Sequence, residues 1–235
     1  MNRPEASGQP APAPSPPSRR RLRYLLPRFD ATVVLRAEVP RLAGRPPTLP
    51  AATYRMAEPQ EILPRLEKLP PTERKSALRR LAAADAVVYT AAGDDLAFWE
   101  FVQLGRAEVP PEVWRPGGEG KPAYIFGAFT RAPYRGQGLF TGGLEWLIGW
   151  LGEHGYTDLF SQTATQDVGA LLAHLTTGFE AVGEGRHLHW LGRRRVRRTR
   201  LLTRPVAAGH AEEQDWAALS PAAREALRRA LLRRR

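Results

Sequence analysis

The chain contains no cysteine, and this absence removes several kinds of chemistry at once. It can form no disulfide bond, bind no metal through thiolates and use no cysteine nucleophile. Its five histidines do not show the H-x-x-x-H or H-E-x-x-H spacing of metal sites, so the sequence predicts no metal centre. Any catalysis must therefore use other groups, such as carboxylates and imidazoles.

Long apolar runs are also lacking. No stretch approaches the roughly 18–20 uninterrupted apolar residues that a membrane helix needs, and the N-terminus has no apolar segment typical of a secretion signal. We therefore expect a cytoplasmic protein without a transmembrane segment. The composition, with 43% hydrophobic and 25% charged residues, is that of a globular protein able to bury a core.

Lysine is scarce, although the chain is strongly basic. Only Lys68, Lys75 and Lys121 are present, so arginine supplies nearly all of the positive charge behind the formal net charge of +11. A basic chain can bind nucleic acid, but the bias toward Arg, Ala, Pro and Gly is also typical of a GC-rich coding sequence. Nucleic-acid binding stays an alternative because of the run RRRVRRTR at residues 193–200.

The first part of the chain has little that could form a core. Residues 1–18 are rich in Pro, Ala and Ser and have few large apolar side chains, which predicts a disordered tail. Residues 19–51 are basic and interrupted by prolines. They predict an N-terminal appendage with one strand, at residues 31–39.

Residues 52–192 carry the patterns of a folded domain. The predicted order is a strand, two helices, a hairpin, a strand, a helix, a strand, a helix and a final strand pair, at about residues 53–56, 59–85, 86–104, 123–130, 139–154, 157–163, 167–177 and 179–192. Residues 193–235 form a basic C-terminal extension, in which Ser220 and Pro221 predict the start of a terminal helix.

The run RGQGLF at residues 135–140 stands between a predicted strand and a predicted amphipathic helix. Glycines at positions 136 and 138 allow a turn in which several backbone N–H groups point the same way. The helix adds its free N–H groups and the positive end of its dipole, and Arg135 adds a cation. This combination predicts a cradle for phosphate oxygens. The run has neither the G-x-x-x-x-G-K-[ST] of a P-loop nor the third glycine of a G-x-G-x-x-G fingerprint.

The same run resembles the acyl-CoA signature [RQ]-x-x-G-x-[GA] of the GCN5-related N-acetyltransferases, the GNAT superfamily. Arg135 and Gly138 match this signature, whereas Phe140 departs from its last position. The predicted element order over residues 52–192 is similar to that of the family. The later run ALLAHLTTGFEAVG also resembles the family's late helix followed by a Gly-Phe pair.

The resemblance implies an α/β (α+β) GNAT fold, in which a mixed central sheet is splayed between its two central strands and has helices on both faces. Acetyl-CoA or another acyl-CoA would lie in the gap as co-substrate, with no metal. The pantetheine arm would pair with the backbone near Phe129 and Arg131, and the pyrophosphate would lie on residues 135–140. The implied cofactor-binding residues are Phe129, Arg131, Arg135, Gly136, Gln137, Gly138, Leu139, Phe140 and, in place of a contacting asparagine, Gln166.

Acetyl transfer needs a neutral amine, a route for its proton and an acid for the departing thiolate. His174 falls where the resemblance implies a tyrosine that donates to the thiolate, and an imidazolium could take that role. Glu100 is the best remaining candidate for the base. Strict alternation places it on one strand face with Phe98 and Val102, where an unpaired charge would be costly. Glu119 and a water chain are alternatives for this proton route.

The resulting prediction is an acyl-CoA-dependent N-acyltransferase, in its simplest form an acetyl-CoA N-acetyltransferase, that acts on an amine of a small molecule or peptide. Two other classes stay open. One is a GNAT-like module that binds acyl-CoA without turning it over, and the other is a nucleic-acid-binding protein that uses the basic C-terminal segment. Self-association through that segment, which would give a homodimer, is a further alternative.

Overall fold

The apolar runs of the sequence become strands of one sheet, and the helical patterns become helices that cover it. The computed structural model describes residues 28–45, 54–105, 120–190, 193–206 and 219–232. The strands are β1 (Arg28–Glu38), β2 (Arg55–Ala57), β3 (Ala86–Ala92), β4 (Asp95–Leu104), β5 (Pro122–Thr130), β6 (Asp158–Ala164), β7 (Glu180–Trp190) and β8 (Arg193–Val206). The α-helices are α1 (Val39–Leu42), α2 (Pro59–Glu67), α3 (Pro71–Leu81), α4 (Leu139–Glu153), α5 (Val168–Thr176) and α6 (Pro221–Leu232). The tail predicted at residues 1–18 and Glu119 lie outside the described residues.

The strands form one sheet in the order β2-β3-β4-β5-β6-β1-β7-β8. Neighbouring strands are antiparallel except for β5 and β6, which are parallel. That pairing is short, because only residues 122–125 of β5 and 158–161 of β6 are in register. Beyond these residues the two strands no longer pair, although β5 continues to Thr130. The predicted fold class, a mixed sheet splayed between two central strands, is confirmed.

Helices cover both faces of the sheet. Along β4, Phe98 and Val102 belong to a core cluster that includes buried residues of α4, α5 and α6, whereas Trp99 and Phe101 belong to a cluster with α2 and α3. Successive residues of a strand face opposite sides of the sheet. The helices α4, α5 and α6 therefore lie on one face, here named the α4 face, and α2 and α3 lie on the other, the α3 face.

The position of β1 corrects one expectation from the sequence. The strand predicted at residues 31–39 in a basic appendage is observed as β1, and it lies inside the sheet between β6 and β7. Val33, Val34 and Leu35 are completely buried, which is typical of an interior strand covered on both faces. The sequence did not show this position, because β1 pairs with segments far along the chain and such pairing leaves no local pattern.

The C-terminal segment is likewise part of the sheet rather than an extension of it. The strand pair predicted at residues 179–192 is observed as one strand, β7, whose hairpin partner β8 comes from the arginine-rich run. The helix α6 begins as predicted, with Ser220 Oγ accepting a hydrogen bond from the Ala223 N–H at 3.3 Å. The buried Glu184 carboxylate of β7 accepts another from the Ser220 N–H at 2.8 Å, which ties the helix to the sheet.

Most local elements follow their predictions closely. The hairpin of β3 and β4 turns at Gly93, whose φ of 62° suits the predicted tight turn. The helix α2 begins with a capping box, in which the Glu58 and Glu61 side chains each accept from the other's backbone N–H. Of the apolar residues whose helical spacing predicts a core-facing stripe of α4, Leu144, Leu147, Ile148 and Leu151 are buried, whereas Phe140 is only partly buried.

Two adjacent glycines let α4 lie close to the sheet. A Cβ atom added at Gly143 would lie 2.6 Å from the Phe98 ring, and one at Gly142 would lie 2.5 Å from Tyr54 Oη. Tyr54 in turn donates a hydrogen bond from Oη to the Leu139 carbonyl oxygen at 2.9 Å. Because Phe98 is completely buried, its ring has little room to move away. The position of α4 thus depends on these glycines.

We expect Gly143→Ala to lower the free energy of unfolding by about 1–2 kcal/mol, because overpacking against Phe98 outweighs the gain in helix propensity. The matched control is Gly149→Ala in the same helix, where an added Cβ would meet no atom within 4 Å. This control should gain about 0.5–1 kcal/mol. Urea unfolding followed by circular dichroism measures both changes. Equal effects of the two substitutions would contradict the close approach of α4.

Candidate functional site

The turn between β5 and α4 contains the glycines of the RGQG run. A short 3-10 helix (Ala132–Tyr134) leads into Gly136 and Gly138, whose φ values of 76° and 72° are left-handed. Residues other than glycine rarely adopt these backbone angles, so the conformation of the turn itself requires both glycines. Gly138 is the last residue before α4.

The N-terminus of α4 presents backbone N–H groups that the helix itself does not use. Among the described residues no side chain caps this helix, and its first backbone bond runs from the Gly142 N–H to the Gly138 carbonyl oxygen at 2.9 Å. The N–H groups of Leu139, Phe140 and Thr141 therefore have no partner within the helix. Together with the helix dipole they can bind an anionic oxygen.

The open edge of β5 lies beside this turn. The Arg131 N–H donates to the Ala97 carbonyl oxygen at 3.0 Å and Phe129 is paired with Trp99, so both residues direct their backbone groups toward β4. Thr130, between them, directs its backbone groups the opposite way, toward the space where β6 has parted from β5. Of these three residues, only Thr130 therefore faces the gap with its backbone, whereas Phe129 and Arg131, for which the resemblance implied backbone pairing with the pantetheine arm, face β4.

The two arginines near the turn have different partners. Arg135 donates from Nε to the Thr130 carbonyl oxygen at 3.0 Å, which holds its side chain at the end of β5 beside the turn. Arg131 instead forms ion pairs with Glu73 at 3.5 Å and with Asp95 at 3.3 Å. Only Arg135 is thus placed to add charge to the cradle.

The two glutamines among the predicted contacts are both at the surface. Gln137 is exposed in the turn, where its side-chain amide donates to the Pro133 carbonyl oxygen at 3.5 Å. Gln166 is exposed after the parted end of β6, and the next residue, Asp167, caps α5 by accepting from the Ala170 N–H at 3.1 Å. A ligand in the gap could reach either amide from solvent.

Glu100 is completely buried, on the strand face that it shares with Phe98 and Val102. Neither of its carboxyl oxygens has a hydrogen-bond partner among the described residues. Burial raises the pKa of Glu100 to about 8, so the group is protonated at neutral pH. Burial, followed by the nearby Glu100 and Glu145, likewise raises the pKa of the Tyr54 hydroxyl to about 12. Glu100 therefore lies in the closed core of the α4 face.

His174 is a core residue of α5. Its ring packs edge-on against Phe140 and Phe179, with centroid distances of 5.3 and 4.8 Å. Nδ1 lies 2.7 Å from the Ala170 carbonyl oxygen, which can only accept, so Nδ1 carries the proton and Nε2 has the lone pair. Burial lowers the pKa of His174 to about 4, against the opposing effects of the Ala170 carbonyl and Asp167. The free protein contains a neutral imidazole, not the imidazolium that an acid role would need.

The structure does not join Glu100 and His174 into a pair. Both Glu100 oxygens and His174 Nε2 lack hydrogen-bond partners in the described part of the chain, so the two groups are not bonded to each other. The Phe140 ring packs against His174 and against Phe98, which is the neighbour of Glu100 on the same strand face. The catalytic roles of Glu100 and His174 stay predictions from the sequence.

A pocket of about 350 Å³ opens on the α3 face. Its floor is formed by Trp99 and Phe129, whose ring centres are 4.9 Å apart. Its wall is formed by the α3 residues Thr72, Glu73, Ser76, Ala77 and Arg80. Sequence reasoning missed this wall, although polar residues 73, 76 and 80 share a helix face with the buried residues 77 and 81. Polar side chains on the buried stripe of a helix are the sequence pattern that would have indicated the pocket.

Within the described residues, no group of three or more side chains that could hold a metal ion is present. None of the helices in this part of the chain has the length and hydrophobicity needed to span a membrane.

No family model and no curated protein matches the chain. Solved structures resemble it at low sequence identity. A Drosophila protein determined as a structural-genomics target has 10% identity and a TM-score of 0.50, covering 73% of this chain and 54% of that protein. A GNAT-family acetyltransferase from Colwellia psychrerythraea has 14% identity and a TM-score of 0.45, covering 68% and 55%. A predicted acetyltransferase with acetyl-CoA from Clostridium acetobutylicum has 16% identity and a TM-score of 0.34, covering 48% and 80%.

The chain spans about half of the length of the Drosophila and Colwellia proteins. At 10% identity, the likeness to the Drosophila protein concerns the fold alone. The mixed sheet and the parting of its parallel central strands are those that the resemblance implied, and the chain has a GNAT-like fold.

Proposed function

We propose that this protein is an acyl-CoA-dependent N-acyltransferase, and more narrowly an acetyl-CoA N-acetyltransferase. One observation carries the proposal: β5 and β6 part after residues 125 and 161, and a left-handed glycine turn with an uncapped helix follows directly on β5. An open strand edge can hold an extended chain through backbone hydrogen bonds, and a free helix N-terminus can hold a pyrophosphate. An acyl-CoA contains both an extended chain, the pantetheine arm, and a pyrophosphate.

Each part of an acyl-CoA would have its own partners. The pantetheine amides would pair with the outward-facing backbone of Thr130. The pyrophosphate would accept hydrogen bonds from N–H groups of residues 136–140, with Arg135 beside them. Gln166, exposed after the parted end of β6, would contact the co-substrate from the other side of the gap.

The reaction would be a direct transfer to an amine of a small molecule or peptide. The neutral amine nitrogen attacks the thioester carbonyl carbon, a C–N bond forms and the C–S bond breaks, which gives an amide and free CoA. The ammonium proton leaves to water before the attack, and the second amine proton ends on the departing thiolate through water. Holding the two reactants in position supplies a large part of the rate enhancement.

The enclosure of Glu100 and His174 favours one second candidate, a GNAT-like module that binds acyl-CoA without transferring the acyl group. Enzyme and module would use the same gap and the same turn. They differ in one measurement, since only the enzyme releases free CoA thiol when acetyl-CoA is supplied with a panel of amines.

Gly138→Val should lower the affinity for acetyl-CoA by about 10-fold or more while the protein stays folded. A β-branched residue is strained at a φ of 72°, so the turn would rearrange and its N–H groups would no longer converge. Isothermal titration calorimetry with acetyl-CoA measures the affinity.

The matched control for Gly138→Val is Gly155→Val. Gly155 has a φ of 71°, an added Cβ there would meet no atom within 4 Å, and it lies just beyond the other end of α4. Both variants should lose about 1–2 kcal/mol of stability, but only Gly138→Val should lose binding. Unchanged affinity in a folded Gly138→Val protein would contradict the proposed function.

Glu100→Gln should gain stability relative to wild type as the pH rises from 5 to 8. The folded protein keeps the Glu100 proton up to about pH 8, whereas the unfolded chain releases it near the ordinary pKa of 4.5. Between these values the folded state binds more protons, so wild type loses stability with rising pH, by up to about 1.4 kcal/mol per pH unit. Glutamine has no such proton, and urea unfolding at both pH values measures the difference.

Glu100→Gln also distinguishes a structural role of Glu100 from a role in proton transfer. If Glu100 also takes the amine proton, thiol release by wild type rises toward about pH 8, and the rate of Glu100→Gln levels off at a higher pH. A stability change with an unchanged pH profile of the rate would assign Glu100 to the core alone. The absence of any stability change would contradict its buried, protonated state.

A further inference from the structure

The pocket on the α3 face combines an apolar floor with a charged wall that acyl-CoA binding does not use. Trp99 and Phe129 offer two aromatic rings, and Glu73 and Arg80 offer a carboxylate and a guanidinium. The volume of about 350 Å³ lies at the lower end of the range for small-molecule sites. The pocket can therefore take a small ligand that has both apolar and charged parts.

Glu73 already has a cation beside it. Its carboxylate lies 3.5 Å from Arg131 Nε, and Arg131 also pairs with Asp95 at 3.3 Å. Glu73 Oε2 has no hydrogen bond among the described residues. This oxygen is buried and faces Arg131, so a donor such as an ammonium group or an amine would bind the other carboxylate oxygen, Oε1.

Arg80 has no carboxylate partner in the part of the chain that the structure describes. Its guanidinium donates to the Ser76 hydroxyl, and it has no ion pair among these residues. Partial burial and then the neighbouring Arg79 lower the pKa of Arg80, although arginine keeps its charge in proteins. A guanidinium presents five N–H donors in a flat fork that fits a carboxylate. Within the described residues, the Arg80 guanidinium at this end of the pocket thus has no carboxylate paired with it.

Arg80 also lies over the part of β5 where the gap opens. The register between β4 and β5 shifts between Trp99 and Phe101, and Gly127 has the left-handed φ of 63° that such a bulge allows. A Cβ added at Gly127 would collide with Arg80 Cδ, so the stem of Arg80 rests directly on the glycine. Gly127 follows closely on Ile125, the last residue of β5 that pairs with β6. The pocket therefore adjoins the gap from the α3 face.

We propose that this pocket binds the acyl acceptor, and that the acceptor is a small amine that also carries a carboxylate, such as an α-amino acid with an apolar side chain. Arg80 binds the carboxylate, Trp99 and Phe129 contact the apolar side chain, and Glu73 lies on the side of the amine. The inference rests on the proposed acyltransferase function and adds the substrate class. The amine nitrogen forms a bond to the acyl carbon, the thioester C–S bond breaks, and CoA leaves with the amine proton.

The test compares two acceptors that differ by the carboxylate. Thiol release by the full chain with acetyl-CoA is measured for L-phenylalanine and for phenethylamine, which lacks the carboxylate. We expect kcat/KM for phenylalanine to be higher by about 10- to 100-fold, the range for losing a hydrogen-bonded charged group. Equal values for the two acceptors would overturn the assignment.

Arg80→Met removes the guanidinium but keeps an unbranched stem over Gly127, and circular dichroism checks that it folds. It should abolish the preference for phenylalanine without changing KM for acetyl-CoA. Arg79→Met is the matched control, because it removes one charge from the exposed neighbour outside the pocket and should leave the preference intact. Arg80→Lys keeps the charge without the fork and should recover part of the preference. A preference that survives Arg80→Met would overturn the assignment.

Failure of this inference and failure of the proposed function give different results. If only the pocket assignment is wrong, the protein still binds acetyl-CoA and releases thiol with other amines. If the protein does not bind acetyl-CoA, the proposed function is contradicted. If no acceptor is turned over, the pocket assignment is tested by calorimetry with the product N-acetyl-L-phenylalanine. Wild type and Arg79→Met should bind it and Arg80→Met should not, and absence of binding to wild type would overturn the inference.

Discussion

The parallel pairing of β5 with β6 stops after residues 125 and 161, and the arrangement of the candidate site depends on that limit. If the strands paired to their ends, the outward-facing backbone groups of Thr130 would form hydrogen bonds with β6. Because they part, an open strand edge, a left-handed turn and a helix N-terminus lie next to one another. The bulge at Gly127 falls at the start of this region and leaves room for the stem of Arg80.

The contacts that stabilise the core also fix the position of the turn. Gly142 and Gly143 bring α4 against Tyr54 and Phe98, and Tyr54 Oη bonds the carbonyl of Leu139, the first residue of the helix. The free N–H groups of the helix start are therefore held by packing on one side and by the glycine turn on the other. Such fixed donors bind an anion without the entropic cost of ordering a loop.

Strand β4 separates two different electrostatic environments. On the α4 face, burial raises the pKa of Glu100 to about 8 and lowers that of His174 to about 4, so both are neutral at neutral pH. On the α3 face, Glu73 and Arg80 line a pocket. Burial penalises charge where water and counterions are excluded. The acceptor proposed above carries charge, so it would be better accommodated on the α3 face, on the opposite side of the strand from Glu100.

Local patterns in the sequence determined the β3–β4 hairpin, the helices from α2 to α5 and the glycine turn, because alternation, helical spacing and left-handed glycines are properties of neighbouring residues. Only the tertiary structure decided that β1 lies between β6 and β7, that β8 joins the sheet, and that Glu100 and His174 are enclosed. The pocket of Arg80 likewise exists only where α3 meets β4 and β5. Strand pairing and burial depend on segments distant in the chain, and no local pattern specifies which strands a helix will cover.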